Sequence, residues 1–237
     1  MPGGACRPVS LPVPGSIDSG QDLNMSRAWQ QTLRAAVTPL SSGVASLDVQ
    51  TLRLPGQSLP RPARTAAVLL GVLDFDQPEI LLTRRAMHLT HHPGQVSLPG
   101  GAMAARGETG VFTALREAEE EIGLLPDNVE PIGFLDRVDT ISDFRVLPVV
   151  GLVRQSPPWT PDYSEVDEVF TIPLELALDT GAYAMETIER FGSQFTVHYL
   201  HWRDYRIWGV TAAILRNLAI RSQATASDRA GRIQQAR

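Results

Sequence analysis

Apolar positions along this chain recur with two different periods, and the alternation between them outlines a mixed α/β protein. In residues 26–37, Trp29, Leu33 and Val37 fall on one side of a helical projection, which predicts a helix. Residues 66–73 are continuously apolar but far short of the roughly 20 a spanning helix needs, so they read as a buried strand. A second strand is expected over 79–84, with the cluster 74–78 as the turn between them. The Gly-rich segment 93–101 leads into a helix whose apolar stripe is Val111, Leu115, Ala118 and Ile122. Gly123 is the left-handed residue expected where that helix stops. Strand character returns over 130–139, 145–154, 168–172, 186–191 and 194–202, and Gly192-Ser193 is a hairpin signal. Residues 208–220 read as a second main helix packed on the sheet.

With 237 residues, 43% of them hydrophobic, the chain supports one substantial core and an appended arm. Residues 1–24 are rich in Gly, Pro and Ser without periodicity and are expected to be disordered, with Met25 as an alternative start. Residues 25–64 form a helix and a Pro-punctuated linking arm that wraps the domain edge. Residues 65–222 make the main domain, and 223–237 a polar tail. No internal repeat is visible. A net charge of -5 and a pI near 5.5 argue against a nucleic-acid partner. The sole cysteine, Cys6, forms no internal disulfide and fits a reducing compartment. Pro8, Pro12 and Pro14 interrupt any leader-like run, so a cytoplasmic protein without membrane partners is expected. The oligomeric state stays open, a homodimer included.

Charge changes the picture at the central helix. Residues 116–121 read Arg-Glu-Ala-Glu-Glu-Glu, four carboxylates in six positions. Glu117, Glu120 and Glu121 are expected to converge on one patch opposite the apolar stripe. Like charges so close destabilise a helix and raise each other's pKa, whereas a hard divalent cation held by oxygen removes both penalties. A solvated acidic face is the alternative. It fits less well because only Arg116, spaced to pair with Glu120, offsets the run. A Mg2+ or Mn2+ site is therefore expected.

These residues resemble the Nudix box, G-x5-E-x7-R-E-U-x-E-E-x-G-U, where U is aliphatic. From Glu108 through Arg116, Glu117, Ala118, Glu120, Glu121, Gly123 and Leu124 the match is complete. Six residues rather than five separate Gly101 from Glu108, an insertion a surface loop absorbs. Upstream, residues 81–101 read LLTRRAMHLTHHPGQVSLPGG and are similar to the signature of the coenzyme A pyrophosphatases within that superfamily. Leu81, Leu82, Thr83, Arg85, Ala86, Leu89, His92, Gly94, Gln95, Val96, Pro99, Gly100 and Gly101 match it. Leu98 replaces the usual Phe, a conservative apolar swap. Residues 207–211, IWGVT, are also similar to a segment of this group, so the resemblance spans most of 65–220.

The resemblance implies an α/β/α sandwich with a mixed β-sheet, and metal-dependent hydrolysis of a diphosphate. The implied substrate is coenzyme A or an acyl derivative, cut to 3',5'-ADP and 4'-phosphopantetheine. Glu117 and Glu121 would be the main metal ligands, and Glu120 a third ligand or, through water, the base. Arg116 would orient a glutamate, and Glu108 would support the loop with Gly100 and Gly101. Arg85, His92, Gly94 and Gln95 would lie on the substrate side, because a guanidinium fork suits phosphate oxygens. His88 and His91 read as structural, and Arg84 is balanced between surface charge and substrate contact. Glu165 and Glu168 are candidates for a carboxylate from outside the box, against a solvated strand edge. Competing readings are a Nudix pyrophosphatase for ADP-ribose, NADH or a dinucleoside polyphosphate, and a non-catalytic nucleotide-binding module of the same fold.

Overall fold

The computed structural model describes residues 19–52, 64–104, 107–140, 142–155, 157–190 and 193–235. In chain order these form α1 (Ser19–Ala36), β1 (Val49–Thr51), β2 (Arg64–Leu73), β3 (Glu79–Arg85), β4 (Val96–Ser97), β5 (Gly100–Ala102) and α2 (Gly110–Ile122). There follow β6 (Val129–Phe134), β7 (Arg137–Asp139), β8 (Phe144–Val153), β9 (Val166–Pro173), α3 (Leu174–Leu178), β10 (Ala184–Arg190), β11 (Ser193–Trp202), β12 (Tyr205–Trp208) and α4 (Gly209–Gln235). Strands β1 to β9 share one mixed sheet with the path β1-β7-β8-β2-β3-β4, while β5 pairs β2, β6 pairs β8 and β9 pairs β3. The last three strands form a separate antiparallel sheet.

Side-chain alternation in the two central strands sorts the core into two layers. β2 and β8 run parallel along their whole length, from Arg64 opposite Phe144 to Leu73 opposite Val153. Ala66, Leu70 and Val72 with Val146, Val150 and Leu152 point to one face, where Leu33 and Ala36 of α1 and Ile214, Leu215 and Leu218 of α4 cover them. Ala67, Leu69 and Leu73 with Leu147, Val149 and Val153 point to the other, beneath Ala114, Ala118 and Ile122 of α2. Period two in the strands and 3.6 in the helices thus produce the expected α/β/α sandwich. Each large side chain buried this way contributes roughly 1.5–3 kcal/mol. Among the described residues, no helix is long and apolar enough to cross a membrane.

Several expectations need correction. α1 begins at Ser19, so residues 19–24 are helical where disorder was expected, while 1–18, with Cys6, lie outside the described residues. The linking arm contributes β1, parallel to β7 at the sheet edge, and Thr38 bridges Phe134, whereas its residues 53–63 lie outside the described ones. The single strand expected over 130–139 is two strands. Between them the chain bends at Leu135 and Asp136, where Asn217 and Arg221 of α4 bind the Asp136 carboxylate at 2.8 Å each. Trp208, where a helix was expected to begin, ends β12 instead, and the helix that starts at Gly209 continues through the expected tail to Gln235. Ser222 is buried and Arg221 also donates to the Ala36 carbonyl, so the helix keeps a core contact past residue 220. β10 and β11 pair as the hairpin signal predicts, although Gly192 itself lies outside the described residues.

Candidate active site

Local sequence fixes α2 at both ends. The Thr109 hydroxyl accepts the Phe112 N–H at 3.2 Å, and Gly123, at φ 70°, donates to Glu119 O while Leu124 donates to Ala118 O. A side-chain oxygen thus satisfies an orphan N–H at the start, and a left-handed glycine closes the last turn. With Ala114, Ala118 and Ile122 locked into the core, the rotation of the helix leaves little freedom to its glutamates.

Glu117, Glu120 and Glu121 do not gather at one point as expected. Successive residues are 100° apart around a helix, so Glu120 and Glu121 diverge while Glu117 lies between them. Glu120 is 58% exposed and takes the Arg116 Nη1 at 2.8 Å, the i,i+4 pair expected from the sequence. Glu121 is only 6% exposed and its Oε2 accepts the Gly100 N–H at 3.2 Å. Arg116 also binds Glu117 at 2.8 Å and Glu108 at 3.1 Å, and the second oxygen of Glu108 accepts the Ala104 N–H. Burial works to lower the Arg116 pKa, but the hydrogen bonds and charges of Glu108, Glu117 and Glu120 outweigh it and raise it.

The two glycines of β5 allow this packing. A Cβ on Gly100, whose φ is 153°, would sit 2.4 Å from the Ala67 carbonyl oxygen. One on Gly101 would sit 2.5 Å from the Glu117 carboxylate. Close approach of the bare backbone is what brings an N–H to Glu121 and leaves room for Glu117.

Burial pushes the Glu121 pKa up to about 8; the Gly100 hydrogen bond opposes this, and the charges of Glu165 and Glu117 add to it. Burial likewise raises Glu117, against the opposing pull of Arg116. Glu165, exposed just before β9, is therefore within electrostatic range of both. Its backbone carbonyl accepts the Ala86 N–H at 2.9 Å, which ties it to the end of β3. Glu168 is otherwise engaged, with Arg84 at 3.2 Å and the Tyr205 hydroxyl at 2.6 Å.

Among the described residues, no three His, Cys, Asp or Glu side chains are arranged to hold a metal ion. Arg116 supplies part of the positive charge instead, through Glu117 and Glu120. The donor chemistry still fits a hard cation: hard oxygen donors on Glu117 and Glu121, and burial that disfavours their charged forms until a counter-charge arrives.

The upstream loop returns to the same end of the sheet. Arg85 and the Gly94-Gln95 pair exchange backbone bonds, Arg85 N to Gln95 O at 3.0 Å and Gly94 N to Arg85 O at 3.1 Å. Arg85 lies close enough to Glu121 for its charge to oppose the rise in that pKa. His92 is exposed at φ 56°, and its carbonyl accepts the Gln95 N–H. His88 Nε2 lies 3.2 Å from the Ser164 carbonyl, a structural contact, and His91 is exposed. Arg84, balanced in the sequence, pairs with Glu168. The loop insertion before Glu108 includes residues 105–106, which lie outside the described ones. Sequence reasoning missed the Gly100 N–H, the Thr109 cap and the Tyr205–Glu168 contact. Only the cap carries a local signal, a Thr immediately before the helix.

The NUDIX domain model matches residues 62–190. Proteins of Salmonella newport and Salmonella agona, each named "Uncharacterized Nudix hydrolase NudL", are 44% identical over 157 residues, covering 66% of this chain and 82% of theirs. Among solved structures, the MutT protein from Methanosarcina mazei Go1 is 20% identical with a TM-score of 0.46, covering 71% of this chain and 99% of that one.

Proposed function

The chain belongs to the Nudix hydrolase family, and on that footing we propose that it hydrolyses the diphosphate linkage of coenzyme A or an acyl-coenzyme A. Water adds to one phosphorus, the bridging P–O bond breaks, and the products are 3',5'-ADP and 4'-phosphopantetheine, the latter still carrying the acyl group where the substrate is an acyl-coenzyme A. One observation carries the reading. The single segment 81–101 resembles the coenzyme A pyrophosphatase signature at all but Leu98 of the positions compared, and it joins the substrate-side residues Arg85 and Gln95 to Gly100 and Gly101, which abut Glu121 and Glu117.

Glu117 and Glu121 are the residues that would hold a Mg2+ or Mn2+ ion. When bound, such an ion neutralises phosphate charge and makes water more acidic. The remaining work falls to the chain. Arg85 offers its guanidinium fork to a non-bridging phosphate oxygen, and the loop 92–95, pinned to Arg85 by its backbone, sets the depth to which the diphosphate enters. Glu165 takes the proton from the attacking water. It is exposed and within electrostatic range of both box glutamates, whereas Glu120 is turned to Arg116. Arg116 positions Glu117, and Glu108 holds Arg116 and the Ala104 backbone.

The test is kcat/KM on coenzyme A, acetyl-coenzyme A, ADP-ribose, NADH and a dinucleoside polyphosphate, with products identified. Preference for coenzyme A or its ester is expected; preference for any of the others defeats the substrate assignment. At saturating metal, Glu165→Gln should lower kcat by about 10²-fold or more, as loss of a general base does. Near-normal turnover by both Glu117→Gln and Glu121→Gln would overturn the assignment of the metal ligands.

A further inference from the structure

The join between β12 and α4 adjoins the substrate-side loop. Gly209 turns the chain at φ 65°, and a Cβ built on it would stand 3.4 Å from Nε2 of Gln95. Consecutive Cα atoms are 3.8 Å apart, so the Trp208 Cα lies within about 9 Å of that amide. The Thr211 hydroxyl donates to the Val96 carbonyl at 3.0 Å, which fastens the start of α4 to the same loop.

Alternation along the small sheet decides which way Trp208 points. Leu200 and Ile207 are paired and buried in the core. The neighbouring pairs, Tyr199 with Trp208 and His201 with Arg206, therefore share the outward face. The Arg206 guanidinium lies over the Tyr199 ring at 4.5 Å and pairs with Glu186, and Tyr199 meets His201 edge-on at 5.2 Å. Those contacts occupy Arg206 and Tyr199. Trp208 remains 43% exposed as a residue, on a backbone held by strand pairing on one side and a helix start on the other. A rigidly mounted, solvated indole beside a loop that faces phosphates is a surface on which a heteroaromatic ring stacks.

We propose that Trp208 is a specificity-determining residue whose indole stacks on the nucleobase of the nucleoside diphosphate substrate. This rests on the hydrolase reading only in requiring a base-bearing substrate. The same exposed face suits a second copy of the chain, but the nearness of the Gly209 backbone to Gln95 favours the substrate.

The experiment uses the full chain with Mg2+ and compares wild type with Trp208→Ala, Trp208→Leu and Trp208→Phe. Steady-state kinetics on coenzyme A and ADP-ribose are combined with calorimetric binding of 3',5'-ADP and of 4'-phosphopantetheine. The Ala and Leu variants should raise KM by at least about fivefold with a much smaller change in kcat, and Phe should restore most of the affinity. Binding of 3',5'-ADP should weaken and that of 4'-phosphopantetheine should not. Leu keeps bulk without a π face and answers the question if the Ala variant does not fold. Unchanged KM in the Leu variant, weakening confined to 4'-phosphopantetheine, or a changed oligomeric state by light scattering overturns the proposal. A wild-type preference for ADP-ribose would sink the coenzyme A reading alone, since both substrates carry adenine and the Trp208 effect would persist.

Discussion

Glu121 is the most buried acid of the candidate site, and its titration can be followed without any substrate. Its pKa moves from 4.5 to about 8 on folding, chiefly because burial disfavours the carboxylate. Between those values the native side chain keeps a proton that the unfolded chain has released, so raising the pH favours unfolding. The stability associated with the neutral acid is fully present below pH 4.5 and lost as the pH passes 8. At about 1.4 kcal/mol per pH unit of that interval, the upper bound is about 5 kcal/mol. Relaxation around Glu117 and Glu165 reduces it, and about 2–3 kcal/mol is the expected loss between pH 5.5 and 8. Glu121→Gln removes the titration while its amide oxygen can still accept the Gly100 N–H. Urea unfolding in EDTA across pH 5–8.5 should therefore show the variant gaining on wild type as pH rises. Glu117, also raised by burial, contributes a slope common to both proteins. Millimolar Mg2+ should narrow the gap, because a cation that binds the native carboxylate lowers its pKa. Parallel stability curves for the two proteins in EDTA would refute the account of how Glu121 is buried.

Three other outcomes follow from the same packing. Gly101→Ala places a methyl group 2.5 Å from the Glu117 carboxylate, which must swing away, so kcat/KM should fall on the order of 10²-fold while the melting temperature changes little. Arg116→Ala removes the partner shared by Glu108, Glu117 and Glu120, and urea unfolding of the metal-free protein should show a loss of about 2–4 kcal/mol. Leu69→Ala opens a cavity beneath α2 and should cost about 2–5 kcal/mol by the same measurement.

Periodicity and end signals alone located α2, its apolar stripe and its Gly123 cap, because each depends on residues within one or two turns. The strand at 66–73 was legible from its unbroken apolar run, while the layered sandwich was implied only by the family resemblance. The family motif then pointed to the acidic end of α2. The differing environments of three neighbouring glutamates were not legible. Glu120 faces solvent and Arg116, whereas Glu121 lies under the Gly100 N–H, and that donor is brought there by the pairing of β5 with β2. Pairing also decided that 130–139 breaks at Asp136, where α4 supplies the partners of its carboxylate, and that residues 205–208 extend alongside β11. Sequence determined where charge and apolar surface would lie along each element. Tertiary structure decided which of those groups lose their water, since burial and hydrogen bonding at this site depend on strands distant in the chain.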